Sequence, residues 1–256
     1  EYIPHEIDLS EPLAEEDIAA LSPWLSEKAG YPVTLRTPVR GETKRLCDMA
    51  KENAGQRARE YARMMEKDEK SIVRLAALCG LETVPERIEA FDISNFGDEA
   101  ITAGMVVYEN GRPKKSDYRL FTIKSVAGRD DYASMREAVG RRIAHLNDKG
   151  AVPPDLLLID GGEAHRSAAA EVVAEAGFDI PVFGMVKDDY HKTRALIGEG
   201  GEISIAAEQS VYTLIYKIQE EVHRFTISKM SAAKRKTEKT SVLEEIDGVG
   251  KSRARA

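Results

Sequence analysis

Arg87-Ile88-Glu89-Ala90-Phe91-Asp92-Ile93-Ser94-Asn95-Phe96-Gly97 reads as a β-strand that carries a carboxylate near its end and stops at a glycine. Ile88, Ala90 and Phe91 precede Asp92, and Ile93 follows it, so the acid stands inside a run that otherwise looks buried. An ionised carboxylate taken out of water is costly unless a cation or hydrogen-bond donors compensate it. Two readings fit this stretch alone: an Asp that caps a neighbouring turn, or one member of a functional site.

A second stretch of the same kind lies downstream. Asp155-Leu156-Leu157-Leu158-Ile159-Asp160-Gly161-Gly162 is a continuous apolar run closed by an aspartate and two glycines, the pattern of a strand buried on both faces. The glycines permit unusual backbone angles and the close approach of a ligand. Asp160 either caps the helix that follows or binds a cation with its neighbour.

Around these two strands the remaining elements fall into order. Asn110-Gly111 is a strong hairpin signal between a strand over 101–109 and another over 118–123, giving a three-stranded antiparallel meander with the opening stretch. A helix is expected over 130–146, with Tyr132, Met135, Val139, Ile143 and Leu146 on one face, and Gly150 and Pro153-Pro154 beyond its end. After the 155–160 strand come a helix over 164–176, a strand over 181–186 and a short strand pair near 194–205. The longest helix follows, over about 208–230. Three antiparallel strands followed by parallel crossover units is the order of the ribonuclease H-like fold. The expected class is therefore α/β, a ribonuclease H-like mixed sheet flanked by helices. A right-handed crossover sets the 155–160 strand beside the first, so that Asp92 and Asp160 share a carboxyl edge, where open α/β sheets place their ligands.

The segment before residue 81 reads as mainly helical. One helix carries Ile18, Leu21, Trp24 and Leu25 at helical spacing and ends at Gly30; Val33-Thr34-Leu35 looks like a short strand. A helix over 43–66, with Leu46, Met49, Ala50 and Ala54 as its apolar stripe, and another over 68–80 ending at Gly80 complete it. The expected division is 1–80, 81–240 and a remnant at 241–256 that opens a further module.

The third functional candidate is on the last helix. Val211, Leu214, Ile215, Ile218, Val222 and Phe225 form its buried stripe, and His223 lies about 100° round from Val222, at the edge of that stripe. A lone helical histidine is commonly structural; one that meets two aspartates at a sheet edge is a different matter. Two carboxylates and an imidazole suit hydrolysis assisted by a hard divalent cation, Mg²⁺ or Mn²⁺. His223 either completes the shell of that ion or takes a proton from the attacking water.

The composition sets limits. With 256 residues, 32% of them charged and 6% aromatic, the chain suits one large or two modest domains with a polar surface. No window of about eighteen apolar residues appears, so no membrane-spanning helix is expected. Cys47 and Cys79 lack metal or redox spacing and read as small buried hydrophobes in a reducing cytoplasm. A net charge of −7 argues mildly against a dedicated nucleic-acid binder, although Lys229, Lys234, Arg235, Lys236 and Lys239 cluster together, as do Arg141 and Arg142. The chain starts at Glu1 and stops within Gly250-Lys251-Ser252-Arg253-Ala254-Arg255-Ala256, and is expected to be a piece of a longer protein.

Four motifs in order carry a family resemblance: Phe91-Asp92-Ile93-Ser94-Asn95, Asp130-Asp131-Tyr132-Ala133-Ser134-Met135-Arg136, Pro154 through Gly162, and Glu221-Val222-His223-Arg224-Phe225. Together they resemble the UvrC family, the incision subunits of bacterial nucleotide excision repair. Pro38-Val39-Arg40-Gly41 through Ala54 resembles the segment that precedes the family's nuclease domain. Ile246-Asp247-Gly248-Val249-Gly250-Lys251 resembles the first hairpin of its helix-hairpin-helix module. The resemblance implies the carboxyl-terminal half of such a protein, whose nuclease cuts the damaged strand 5′ to the lesion.

It also implies catalytic roles for Asp92, Asp160 and His223, the same three as metal ligands, and a further carboxylate in the Asp130-Asp131 pair, with Asp131 favoured. DNA contacts are expected from Gly248, Gly250 and Lys251, joined by Arg224, Lys234 and Arg235. The implied partners are damaged double-stranded DNA and UvrB, with UvrA upstream, and the implied location is the bacterial cytoplasm. Two departures stand out. Gly161-Gly162-Glu163-Ala164-His165 replaces the family's usual Gly-Gly-Lys-Gly-Gln, and Met230-Ser231 replaces a His-Arg pair. His165 and His191 are expected at the surface. A non-catalytic docking module and a different nuclease of this fold are the alternatives; the hairpin motif and the upstream segment argue against the latter.

Overall fold

A computed structural model describes residues 2–94, 101–124, 130–187 and 193–244. The chain forms two compact units, Glu1–Glu66 and Lys67–Ala256.

In the first unit, β1 (Glu6–Asp8) pairs in parallel with β2 (Thr34–Arg36), and α1 (Glu15–Ala29) connects them. Gly30 ends α1 in the left-handed conformation, φ 79°, that glycine adopts without a Cβ penalty. Helix α2 (Gly41–Cys79) begins here and continues into the second unit. The two helices expected over 43–66 and 68–80 are thus one, because Lys67 is a good helix former and neither glycine nor proline stands at the expected break. The expected stripe of this helix is not buried: Leu46 and Met49 are each 59% exposed, whereas Cys47 is covered. Periodicity states which residues share a face, not what covers that face.

The second unit holds the sheet. Its strands are β3 (Arg87–Ser94), β4 (Thr102–Glu109), β5 (Arg112–Pro113), β6 (Arg119–Thr122), β7 (Leu156–Asp160), β8 (Val182–Lys187), β9 (Thr193–Gly198) and β10 (Gly201–Ser204). They run in the order β10-β9-β8-β7-β3-β4-β5, with β6 also on β4. Asn110 and Gly111 turn the β4–β5 hairpin with φ 48° and 76°, the two positive angles that a tight two-residue connection demands. The third strand of the meander is split. Pro113 has no N–H to donate, a 3₁₀ turn follows at Lys115–Asp117, and pairing resumes at β6.

β3 is antiparallel to β4 and parallel to β7, and β7 is parallel to β8. Alternate residues of β3 and β7 feed two cores. Ile88, Ala90, Leu156 and Leu158 pack with Ile72 and Leu75 of α2 and with Val211, Ile215, Ile218 and Val222 of α5 (Gln209–Glu244). Phe91, Leu157 and Ile159 pack with Met135, Val139 and Ile143 of α3 (Asp131–Ala144) and with Ala169 and Val173 of α4 (Glu163–Glu175). Tyr132, expected on the same stripe of α3, is instead half exposed. Helix α5 continues well past residue 230 because the charged run that follows contains no helix breaker.

One buried ion network ties the strand to its covering helix. Glu89 is fully buried in β3 and accepts two bonds from Arg142 (2.7 and 2.8 Å) and one from Arg87 (3.0 Å). Arg87 also reaches Asp117 (2.8 Å) and Glu109 (3.0 Å), so both guanidiniums are compensated.

Candidate metal centre

Register puts the two aspartates together. Phe91 pairs with Ile159 across β3 and β7, so the next residues along, Asp92 near the end of β3 and Asp160 at the end of β7, stand at the same edge of neighbouring parallel strands. The stripe of α5 presses that helix onto β3 and β4, which turns His223 toward the same edge. The His223 Nδ1 atom lies 3.6 Å from Asp92 Oδ2. One ligand atom from each of Asp92, Asp160 and His223 lies within 4.8 Å of the others.

Asp92 is nearly enclosed, and its Oδ2 atom has no hydrogen-bond partner among the described residues. Burial pushes its carboxyl up to about 6, with the Asp160 charge adding to the rise. His223, the Thr226 hydroxyl and Lys187 act in the opposite direction but do not cancel it. Across the ladder from Asp92 stands Gly104, and a Cβ there would lie 2.1 Å from Thr226 Oγ1. Glycine at this position therefore allows α5, which carries His223, to lie close against the strand beside Asp92.

Asp160 is held differently. Gln219 donates to its Oδ1 (2.7 Å) and the Lys187 ammonium to its Oδ2 (2.9 Å). Neither residue stood out in the sequence, although both leave a signal. Lys187 is two residues beyond Met185, the register partner of Asp160, and so shares its face of the sheet edge. Gln219 is a polar residue on a buried apolar face, four residues before His223.

The expected site residues thus separate. Asp92, Asp160 and His223 converge. Asp131 opens α3 and is not part of the three-residue group, and Asp130 caps that helix by accepting from Ala133 N (2.9 Å). Arg224 is paired with Glu221 through two bonds of 2.7 Å, and its side chain is 59% exposed. Lys234 and Arg235 lie within α5 beyond the described side chains, and Gly248, Gly250, Lys251 and His191 lie outside the described residues. Glu163, the acidic departure, is engaged by Arg166 (2.9 Å) and Ser167 (3.0 Å), which hold its carboxyl below the usual range. His165 is partly covered, its ring 4.7 Å from that of the exposed Tyr132. Cys47 and Cys79 are free thiols, and burial pushes that of Cys79 up to about 12. Among the described residues no helix is long and apolar enough to cross a membrane.

The donor set fits a hard divalent cation. Two carboxylates, one with a buried oxygen lacking a partner, and an imidazole within reach supply O and N ligands that such ions accept.

The sequence matches the family described as UvrC RNAse H endonuclease domain over residues 76–227, and that described as UvrC Ribonuclease H-like domain over residues 1–61. It is 41% identical to the UvrABC system protein C of Caldanaerobacter subterraneus subsp. tengcongensis over 270 residues, covering 99% of this chain and 43% of that protein. Identity to the UvrABC system protein C of Alkaliphilus oremlandii is 39%, covering 100% of this chain and 44% of that protein. The chain therefore spans less than half the length of these curated relatives. Among solved structures, Ciona intestinalis endonuclease V in complex with inosine-containing DNA aligns with 70% of this chain and 99% of its own. The sequence identity is 13% and the TM-score 0.41.

Proposed function

This chain belongs to the UvrC RNAse H endonuclease domain family, and from that premise we propose that it is a metal-dependent DNA endonuclease unit. It cuts the damaged strand 5′ to a lesion by water attack on a phosphodiester. The observation that carries this reading is the convergence of Asp92, Asp160 and His223 at one sheet edge.

Asp92 and Asp160 would hold Mg²⁺ or Mn²⁺, with His223 at the rim of the same site. When bound, the ion supplies Lewis acidity toward a phosphoryl oxygen and offsets negative charge there. The chain's own groups do the rest. The buried carboxyl of Asp92 is poised near neutrality, so a neighbouring positive charge secures its ionised form. His223 faces Asp92 through one ring nitrogen and is 49% exposed at its side chain, which suits it to take a proton from the attacking water. The Lys187 ammonium brings a positive charge to this edge in place of the lysine that Glu163 has replaced, and favours the approach of an anionic phosphodiester.

Damaged double-stranded DNA is the proposed substrate and UvrB the partner, with UvrA acting upstream in the bacterial cytoplasm. Contacts to DNA beyond the site are assigned to Lys234, Arg235, Gly248, Gly250 and Lys251. The test uses full-length protein carrying Asp92→Asn, its loading partners and an end-labelled duplex with one lesion. The 5′ product should vanish while the 3′ cut, which the family makes with a separate amino-terminal nuclease, persists. Normal 5′ incision by the variant would reject the assignment and favour the docking-module alternative.

A further inference from the structure

We propose that Gln219 and Thr193 are positioning residues that orient the Asp160 carboxylate for cation binding; this rests on reading the cluster as a cation site. Gln219 is 2% exposed and Thr193 3%, so both are polar groups placed out of water. Buried polar groups of this kind are expensive unless their hydrogen bonds are met. Here they are met in one direction only. The Gln219 amide nitrogen faces two groups that can only accept, Asp160 Oδ1 at 2.7 Å and the Met185 carbonyl at 3.4 Å. That fixes the amide orientation, because its oxygen turned toward either acceptor would leave two lone-pair groups opposed. The amide oxygen accordingly accepts from the Thr193 hydroxyl. A relay of donors therefore runs from Thr193 through Gln219 and ends on one oxygen of Asp160.

The fold builds this relay deliberately. A register shift between Val186 and Lys187 in the β8–β9 ladder sets Thr193 opposite Lys187 at the edge that bears the site. Such bulges re-aim a side chain where regular pairing would not. Gln219 comes from the same face of α5 as His223, one turn earlier. With Oδ1 fixed by Gln219, Oδ2 is the oxygen that meets Lys187, and the plane of the carboxylate is set. Partners of this kind hold a ligand's orientation and commonly change ion affinity when removed.

The experiment measures Mn²⁺ affinity by titration calorimetry on the full chain, together with its melting temperature. Gln219→Met keeps length and helix propensity but removes the donor; Thr193→Val removes the hydroxyl, and Thr193→Ser keeps it. Gln219→Met should weaken Mn²⁺ binding roughly 10- to 100-fold, Thr193→Val less, and Thr193→Ser not at all. The double variant Gln219→Met with Thr193→Val should bind no more weakly than Gln219→Met alone, because the threonine acts through the glutamine. Should Gln219→Met lower the melting temperature below the assay range, the Thr193→Val and Thr193→Ser pair carries the test. Asp160→Asn separates the two levels of the reading. If the parent binds Mn²⁺ no better than Asp160→Asn, the cation site itself is refuted, and this inference with it. If the parent exceeds Asp160→Asn but Gln219→Met or Thr193→Val matches the parent, or the two losses simply add, only the positioning role is overturned.

Discussion

Replacing Gly104 with Ala tests how tightly the fold holds the site together. The added methyl would lie 2.1 Å from Thr226 Oγ1, 3.0 Å from Thr226 Cβ and 3.3 Å from Thr226 Cα, where ordinary contacts are about 3.5–4.0 Å. Turning the Thr226 hydroxyl away relieves the first contact but sacrifices its 2.7 Å bond to the Val222 carbonyl. It leaves the other two contacts, one of them to helix backbone, so α5 itself has to retreat from β4. Overpacking of this kind costs about 1–3 kcal/mol. His223 is on the same face of α5, three residues before Thr226, and it moves with the helix away from Asp92. A displacement on the order of 1 Å in a catalytic group costs roughly 100-fold in rate. Urea unfolding should therefore show a midpoint loss worth about 2 kcal/mol with the slope unchanged, while 5′ incision falls by roughly 100-fold. Thr226→Ala in the Gly104→Ala background should restore part of both, because it removes the nearest clash. An unfolding curve identical to the parent's, or strictly additive losses in the double variant, would refute this account of the α5–β4 contact.

Two further perturbations follow from buried charge. Because the Asp92 carboxyl is raised from 3.8 to about 6, the folded chain keeps a proton between those values that the unfolded chain has lost. Chelator-treated protein should thus lose stability as pH rises from about 4 to about 6, by up to roughly 3 kcal/mol relative to Asp92→Asn; parallel urea melts of the two proteins check the slope, and identical slopes would contradict it. Glu89→Gln keeps the shape of a fully buried side chain but leaves Arg142 and Arg87 without their shared charge. It should cost about 3–5 kcal/mol in denaturant unfolding, and a loss below about 1 kcal/mol would show that the network is better solvated than its burial implies.

Much of the sheet was legible because its strongest strands advertise themselves. Leu156–Ile159 is apolar at every position, β3 carries Asp92 near its end, and Asn110-Gly111 can scarcely be anything but a hairpin. The three convergent side chains were legible for the same reason, since each interrupts or borders an apolar pattern. What escaped is what depends on partners distant in sequence. Glu89 looks like an outward residue until Arg142, 53 positions later, meets it. Gln219 gains its meaning only from the bonds to Asp160 and Thr193, and Lys187 carries no sign of Asp160 beyond its place at the end of a strand. The single long α2 and the extension of α5 escaped because a helix end is marked by breakers, and both runs lack them at the expected boundary.

Two strand ends and a helix are proposed to share one divalent cation. Anomalous diffraction from a crystal of this protein soaked in Mn²⁺ would locate that ion. One strong peak is expected, bounded by Asp92, Asp160 and His223 and absent from Asp92→Asn crystals treated in the same way. A peak elsewhere with none at these three residues, or one that survives the substitution undiminished, would contradict the proposal.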